Sequence, residues 1–136
     1  VSPSCVDLEI TEYSMIDDIK TSVSKMQELI AKGVTFSLDD FGTGYSSLSY
    51  LKSLPFATVK IDRSFIQDIT VDESDEALVI SIINISKNLG MSVVAEGIET
   101  KEQMTILQNH QCEYLQGYYF SKPVPAQEFE KLLTGG

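Results

Sequence analysis

The stretch "VTFSLDDFGTG" runs from Val34 to Gly44. Its first six residues alternate apolar and polar side chains up to Asp39, the pattern of a strand with two unlike faces. Two adjacent aspartates, Asp39 and Asp40, close that strand, and Gly42 and Gly44 loosen the backbone just beyond. The chain already carries a net charge of −10. Two more carboxylates side by side add repulsion unless something positive sits between them.

The same arrangement recurs on both sides of this stretch. "VDLEIT" (Val6–Thr11), "ATVKID" (Ala57–Asp62), "SVVAEG" (Ser92–Gly97) and the weaker "CEYLQG" (Cys112–Gly117) also read as strands. Helical signals fill the gaps. Ile16, Ile19, Val23, Met26 and Ile30 form one stripe that Gly33 stops, and Ser47 caps a short helix ending before Pro55. A longer helix covers Asp75–Leu89 and closes at Gly90. Thr100 with Gln103 makes a capping box, and Pro125 opens a last helix, "PAQEFEKLL". Strands alternating with helices imply an α/β fold of parallel strands joined by helical crossovers. The chain has 136 residues, enough for one domain, and no linker divides it.

Composition narrows the function. Apolar residues make up 43% of the chain, enough for a core. With 20 acidic and 10 basic residues, it lacks the clustered cations that bind DNA, RNA or an anionic membrane without specificity. No apolar run is long enough to span a bilayer. Cys5 and Cys112 have no paired spacing and read as structural, small buried or partly buried thiols of a reducing, cytoplasmic compartment. His110 lacks the further ligands a zinc site needs and also reads as structural. No signal peptide and no initiator Met open the chain, which is the expectation for a piece of a longer protein.

Polar residues fall at one place in each unit: Glu9, Asp39 with Asp40, Lys60 with Asp62, Glu96, and Gln116 lie at or near strand C-terminal ends. In parallel α/β sheets these ends share one edge, where ligands bind. Crowded carboxylates call for divalent cations, and oxygen ligands suit Mg²⁺ or Mn²⁺. Metals with a lysine nearby fit phosphodiester hydrolysis. The residues alone therefore read as a metal-dependent phosphate enzyme.

At these positions the sequence resembles the EAL domains of bacterial cyclic di-GMP phosphodiesterases. "LEITE", "DDFGTGYSSL", "VKIDRSFI", "VVAEGIET" and "YLQGYYFSKP" look like that family's motifs in the family's order. The gaps also match: 30 residues from Glu9 to Asp39, 21 to Lys60, 36 to Glu96 and 20 to Gln116. The resemblance implies a (β/α)8 TIM-type barrel that hydrolyses one phosphodiester bond of cyclic di-GMP to give the linear dinucleotide. It implies that Glu9 and Asp39 are metal ligands, that Asp40 serves a second metal, and that Lys60 contacts the catalytic water. Glu96 would lie at the metal and water cluster with Gln116 beside it. Glu12 would anchor the glycine-containing loop, which in this family links metal binding to dimerisation.

One departure stands out. The Glu-Ala-Leu motif and the family's asparagine ligand are absent, and both belong before Val1. A full barrel has eight strands in about 250 residues, so the expectation is a partial barrel, the C-terminal portion of one EAL domain over residues 1–136. Two open edges then predict a homo-oligomer, and the missing ligands predict little or no hydrolysis by the chain alone. No DNA partner or direct membrane contact is expected, and any membrane anchor would lie in other segments.

Other readings stay open on sequence. Asp39 and Asp40 taken alone fit a strand end and a helix cap, Glu9 and Glu96 fit solvated carboxylates, Lys60 a surface lysine, and Glu12 a helix flank. Asp62 either orients Lys60, binds substrate or begins the next helix. Tyr118, Tyr119 and Phe120 either stack on guanine or pack the rim. A non-catalytic cyclic di-GMP-binding or regulatory module competes with the enzyme, and a Schiff-base aldolase using Lys60 is a third reading.

Overall fold

A computed structural model describes residues 1–15, 19–44 and 48–135. Five strands, β1 (Asp7–Thr11), β2 (Thr35–Phe41), β3 (Thr58–Ile61), β4 (Ser92–Glu96) and β5 (Tyr114–Gln116), form one sheet in that order. Every neighbouring pair is parallel. The crossovers carry helices α1 (Ile19–Ala31), α2 (Leu48–Ser53), α3 (Arg63–Gln67), α4 (Glu73–Asn88) and α5 (Lys101–Asn109), and α6 (Ala126–Leu133) follows β5. Sequential order with helical returns is the build of a barrel segment, the partial (β/α)8 fold expected from the sequence.

Local chemistry accounts for most element ends. The Thr100 hydroxyl accepts from Gln103 N–H, while Gln103 Oε1 accepts from Thr100 N–H, so the capping box is formed. Asp72 caps α4 by accepting from the N–H groups of Ser74 and Asp75. That helix therefore begins two residues before the expected Asp75. Pro125 sits just outside α6, at its N-cap, rather than inside its first turn. The sequence reading gave α3 no bounds and left open only that Asp62 begins a helix; Asp62 does cap it, accepting from Ser64 N–H at 2.9 Å. A five-residue helix is too short to show a periodic stripe. The Ile16 position of the α1 stripe and the Ser47 cap lie outside the described residues.

The sheet has two unlike faces. Phe36, Leu38, Phe41, Val59, Ile61, Val93 and Ala95 are buried on the helix side, against Val79, Ile82 and Ile83 of α4, Leu107 of α5 and Ile66 of α3. The opposite face carries Asp7, Glu9, Ser37, Asp39, Thr58, Lys60, Ser92 and Glu96, by strand alternation and register. On that face Asp7 already holds β1 to β2, accepting from the hydroxyls of Thr35 and Ser37 at 2.6 Å each.

Strand β2 does not end at Asp39, as the alternation implies. Leu38 pairs with Val59 and Phe41 with Ile61, so Asp39 and Asp40 together stand opposite the single residue Lys60. This is a β-bulge. Its extra residue, Asp40, takes the left-handed conformation with φ +57°, which aspartate tolerates better than most side chains. The bulge restores the alternation, so that Phe41 reaches the helix side with Leu38 while both carboxylates stay at the strand end.

Cys112 is buried and Cys5 is exposed, and both are free thiols. The expectation of a covered thiol fails at Cys5 because it ends a 3-10 turn, Pro3–Cys5, with no buried residue. No helix among the described residues is long and apolar enough to cross a membrane.

Candidate functional site

Carboxylate oxygens of Asp39, Asp40 and Glu96 lie within 4.8 Å of one another. Two are delivered by the bulge in β2 and one by the last residue of β4, two strands away. Asp39 Oδ1 accepts from Asp40 N–H at 2.9 Å, which braces the bulge from within. Thr43 closes the turn beyond it, its N–H and its hydroxyl both donating to the Asp40 carbonyl.

Lys60 lies on the polar face of β3 between two acids. Its Nζ donates to Glu9 Oε1 at 2.5 Å and lies 2.8 Å from Glu96 Oε1. The lysine side chain is 11% exposed, Glu96 19% and Glu9 48%, so the ammonium is shielded while Glu9 faces solvent. Burial opposes charge on Lys60, but the bonds to Glu9 and Glu96 outweigh it and hold its pKa well above that of an ordinary lysine. A permanently charged amine cannot attack a carbonyl, which argues against the Schiff-base reading.

The acids respond in the opposite sense. Burial pushes the Glu96 carboxyl up; Lys60 partly offsets this, and the charges of Asp39 and Glu9 add to it. The Asp40 carboxyl is also raised, by burial first and then by Asp39, Asp62 and Glu96. Asp62 bonds to Asp40 and, despite its own burial, is held low by its hydrogen bonds to Ser64 and by the neighbouring Arg63 charge. Asp62 thus takes one of the roles left open for it, beginning the next helix as its cap, and it also stands beside the cluster.

The two remaining sites differ in how they connect. Glu12 Oε2 accepts from Gly44 N–H at 3.0 Å, and Glu12 Oε1 is buried with no hydrogen-bond partner among the described residues. A Cβ at Gly44 would stand 3.3 Å from the Glu12 carboxyl carbon, so glycine lets the loop close onto this acid. Gln116 pairs with Glu96 in the β4–β5 register and is exposed. Of the predicted residues, the structure joins Asp39, Asp40 and Glu96 in one group with Asp62 beside Asp40, attaches Glu9 to Lys60 rather than to that group's oxygens, and leaves Glu12 one loop away. Tyr118, Tyr119 and Phe120 are all exposed, just after β5.

A family model, the EAL domain, matches residues 1–123. The chain belongs to the EAL domain family. Among curated relatives, the cyclic di-GMP phosphodiesterase NbdA of Pseudomonas aeruginosa is 43% identical over 128 residues, covering 94% of this chain and 16% of that protein. The PaMucR phosphodiesterase, solved as a c-di-GMP complex, superposes with a TM-score of 0.89 at 43% identity, across 95% of this chain and 52% of that one. Klebsiella pneumoniae BlrP1, solved as a manganese/cy-diGMP complex, gives 0.84 at 34% identity, across 90% of this chain and 31% of that one. This EAL-domain chain therefore spans about half the PaMucR chain and about a sixth of NbdA. Both the family resemblance and the α/β barrel-segment fold read from the sequence are borne out.

Proposed function

We propose that this chain forms part of a divalent-metal-dependent phosphodiesterase that hydrolyses cyclic di-GMP to the linear dinucleotide. The observation that carries the reading is the meeting of Asp39, Asp40 and Glu96 within 4.8 Å at one sheet edge. Lys60 is already shared by Glu9 and Glu96, so excess negative charge remains there. Three carboxylates are a hard-oxygen donor set that fits Mg²⁺ or Mn²⁺. Asp39, Asp40 and Glu96 would hold such ions, with Glu9 at the margin. Bound there, the ions supply charge neutralisation at the phosphate and a more acidic water.

The chain's own residues do the rest. Lys60 has three N–H donors, and two are taken by Glu9 and Glu96. Among the described residues no partner takes the third, which is placed to orient a water or a phosphate oxygen, and its charge favours the transition state. Asp62 fixes the carboxylate of Asp40, Gln116 stands beside Glu96 at the rim, and Glu12 sets the position of the glycine loop. The linear dinucleotide carries one more ionisable phosphate oxygen than the substrate, a change that favours release from an acidic site.

Titrating the chain with cyclic di-GMP by calorimetry, with and without Mn²⁺, tests this reading. Metal-dependent binding is the expected result, and binding that ignores the metal, or none, contradicts it. Chromatography of the nucleotide after incubation with the complete parent protein then separates a hydrolase, which yields the linear product, from a binding module, which returns the ligand unchanged.

We further propose self-association, because among the described residues β1 and β5 are the unpaired edges of the sheet and Phe129, Leu132 and Leu133 of α6 are exposed. Light scattering behind size exclusion is expected to report a mass above 15.1 kDa, and a stable monomer contradicts this.

A further inference from the structure

Arg63 is the single arginine of a chain with net charge −10. It directly follows Asp62 at the first position of α3, where β3 has just ended. It is exposed, and no ion pair or hydrogen bond engages its guanidinium among the described residues. Its stem is fixed, however. Gly97, the residue after Glu96, adopts φ +79°, and a Cβ there would fall onto Arg63 Cβ and lie 3.2 Å from its Cα. Arg63 is therefore wedged between the ends of β3 and β4, on the edge that gathers Asp39, Asp40 and Glu96.

The charge pattern at that edge is uneven. Asp39, Asp40, Asp62, Glu9 and Glu96 are negative. Lys60 answers two of them and is 11% exposed. That leaves Arg63 as the cation with an uncommitted, solvent-facing head. A surface arginine kept for solubility needs no glycine to seat its stem against a neighbouring strand end. A planar fork of N–H donors held at the mouth of an acidic site suits a phosphate oxygen pair of an incoming ligand.

We infer that Arg63 is a substrate-binding residue, making a charge-assisted contact to a phosphate of the cyclic dinucleotide and taking no part in bond cleavage. The inference rests on the proposed function and names a contact within it. A cyclic dinucleotide has two phosphates, so one can lie at the carboxylate cluster while the other is held at the rim.

Calorimetry on the full chain with cyclic di-GMP and Mn²⁺ tests this, comparing the unaltered chain with Arg63→Ala and Arg63→Lys, and measuring Mn²⁺ binding alone in each. Arg63→Ala is expected to weaken dinucleotide binding about tenfold or more, the ratio for losing one charge-assisted hydrogen-bonded contact. Arg63→Lys should recover part of the loss, the effect should shrink as salt is raised, and Mn²⁺ affinity should hold within about twofold. If Arg63→Ala binds the dinucleotide as the unaltered chain does, the inference is wrong while the proposed function stands. If Arg63→Lys is as weak as Arg63→Ala and salt has no effect, the phosphate assignment is wrong. Failure of the unaltered chain to bind the dinucleotide overturns both.

Discussion

Lys60 and Glu96 form an ion pair, Nζ to Oε1 at 2.8 Å, that ties the middle of the sheet to the end of β4. The same ammonium holds Glu9. One buried cation thus links β1, β3 and β4 on the polar face, where a TIM barrel ordinarily packs branched apolar side chains. Stability and the proposed chemistry meet in this one residue.

Replacing Lys60 by methionine keeps the stem and removes the charge. Glu96 is then left mostly buried beside Glu9 and Asp39 with no partner. The expected cost is about 2 kcal/mol in metal-free buffer, the scale for a buried charged group that loses its hydrogen bond. Urea unfolding in the presence of a chelator measures it, and an unchanged midpoint contradicts the account. Product formation from cyclic di-GMP by the complete parent protein is expected to fall with the same substitution.

The raised carboxyls of Asp40 and Glu96 set a pH dependence. A carboxyl whose folded pKa exceeds its unfolded value binds more protons when folded, so its charging weakens the fold as pH rises through the folded pKa. Protons and divalent ions compete for the same oxygens. Mn²⁺ is therefore expected to raise the melting temperature more at pH 8 than at pH 5.5, as followed by circular dichroism. An equal shift at both values contradicts this assignment of the two acids.

Two glycines separate backbone strain from steric fit. Gly97 has φ +79° and no room for a Cβ, whereas Gly90 has φ +75° and nothing within 4 Å of the place a Cβ would take. Gly90→Ala is expected to cost about 1 kcal/mol for the left-handed backbone alone. Gly97→Ala should cost at least about 1 kcal/mol more, because Arg63 must move. Thermal unfolding of the two variants compares them, and equal losses contradict the seating of Arg63.

Much of this is legible in the sequence because the signals are local. Alternation in "VTFSLD", the Thr100–Gln103 box and the glycines after α1 and α4 act within a few residues of one another, and the structure shows each of them. What escaped has a different origin. The bulge at Asp39–Asp40 is set by pairing with β3, and no local pattern announces it, although an even count between Leu38 and Phe41 would have shown that the alternation breaks. The contact between Asp40 and Asp62 joins residues brought together by topology. Glu9 illustrates the limit of spacing: position places it at the edge, but only the geometry shows that Lys60 takes its carboxylate. Arg63 gave no signal beyond being the sole arginine.

The central claim is that strand-end acids meet around a divalent ion, and Mn²⁺ binding followed by electron paramagnetic resonance tests it most directly. The free-ion signal is expected to fall on adding the chain, and to persist on adding an Asp39→Asn, Glu96→Gln variant that far-ultraviolet circular dichroism shows to be folded. A folded double variant that depletes Mn²⁺ as well as the unaltered chain, or an unaltered chain that leaves the signal untouched, would contradict the account.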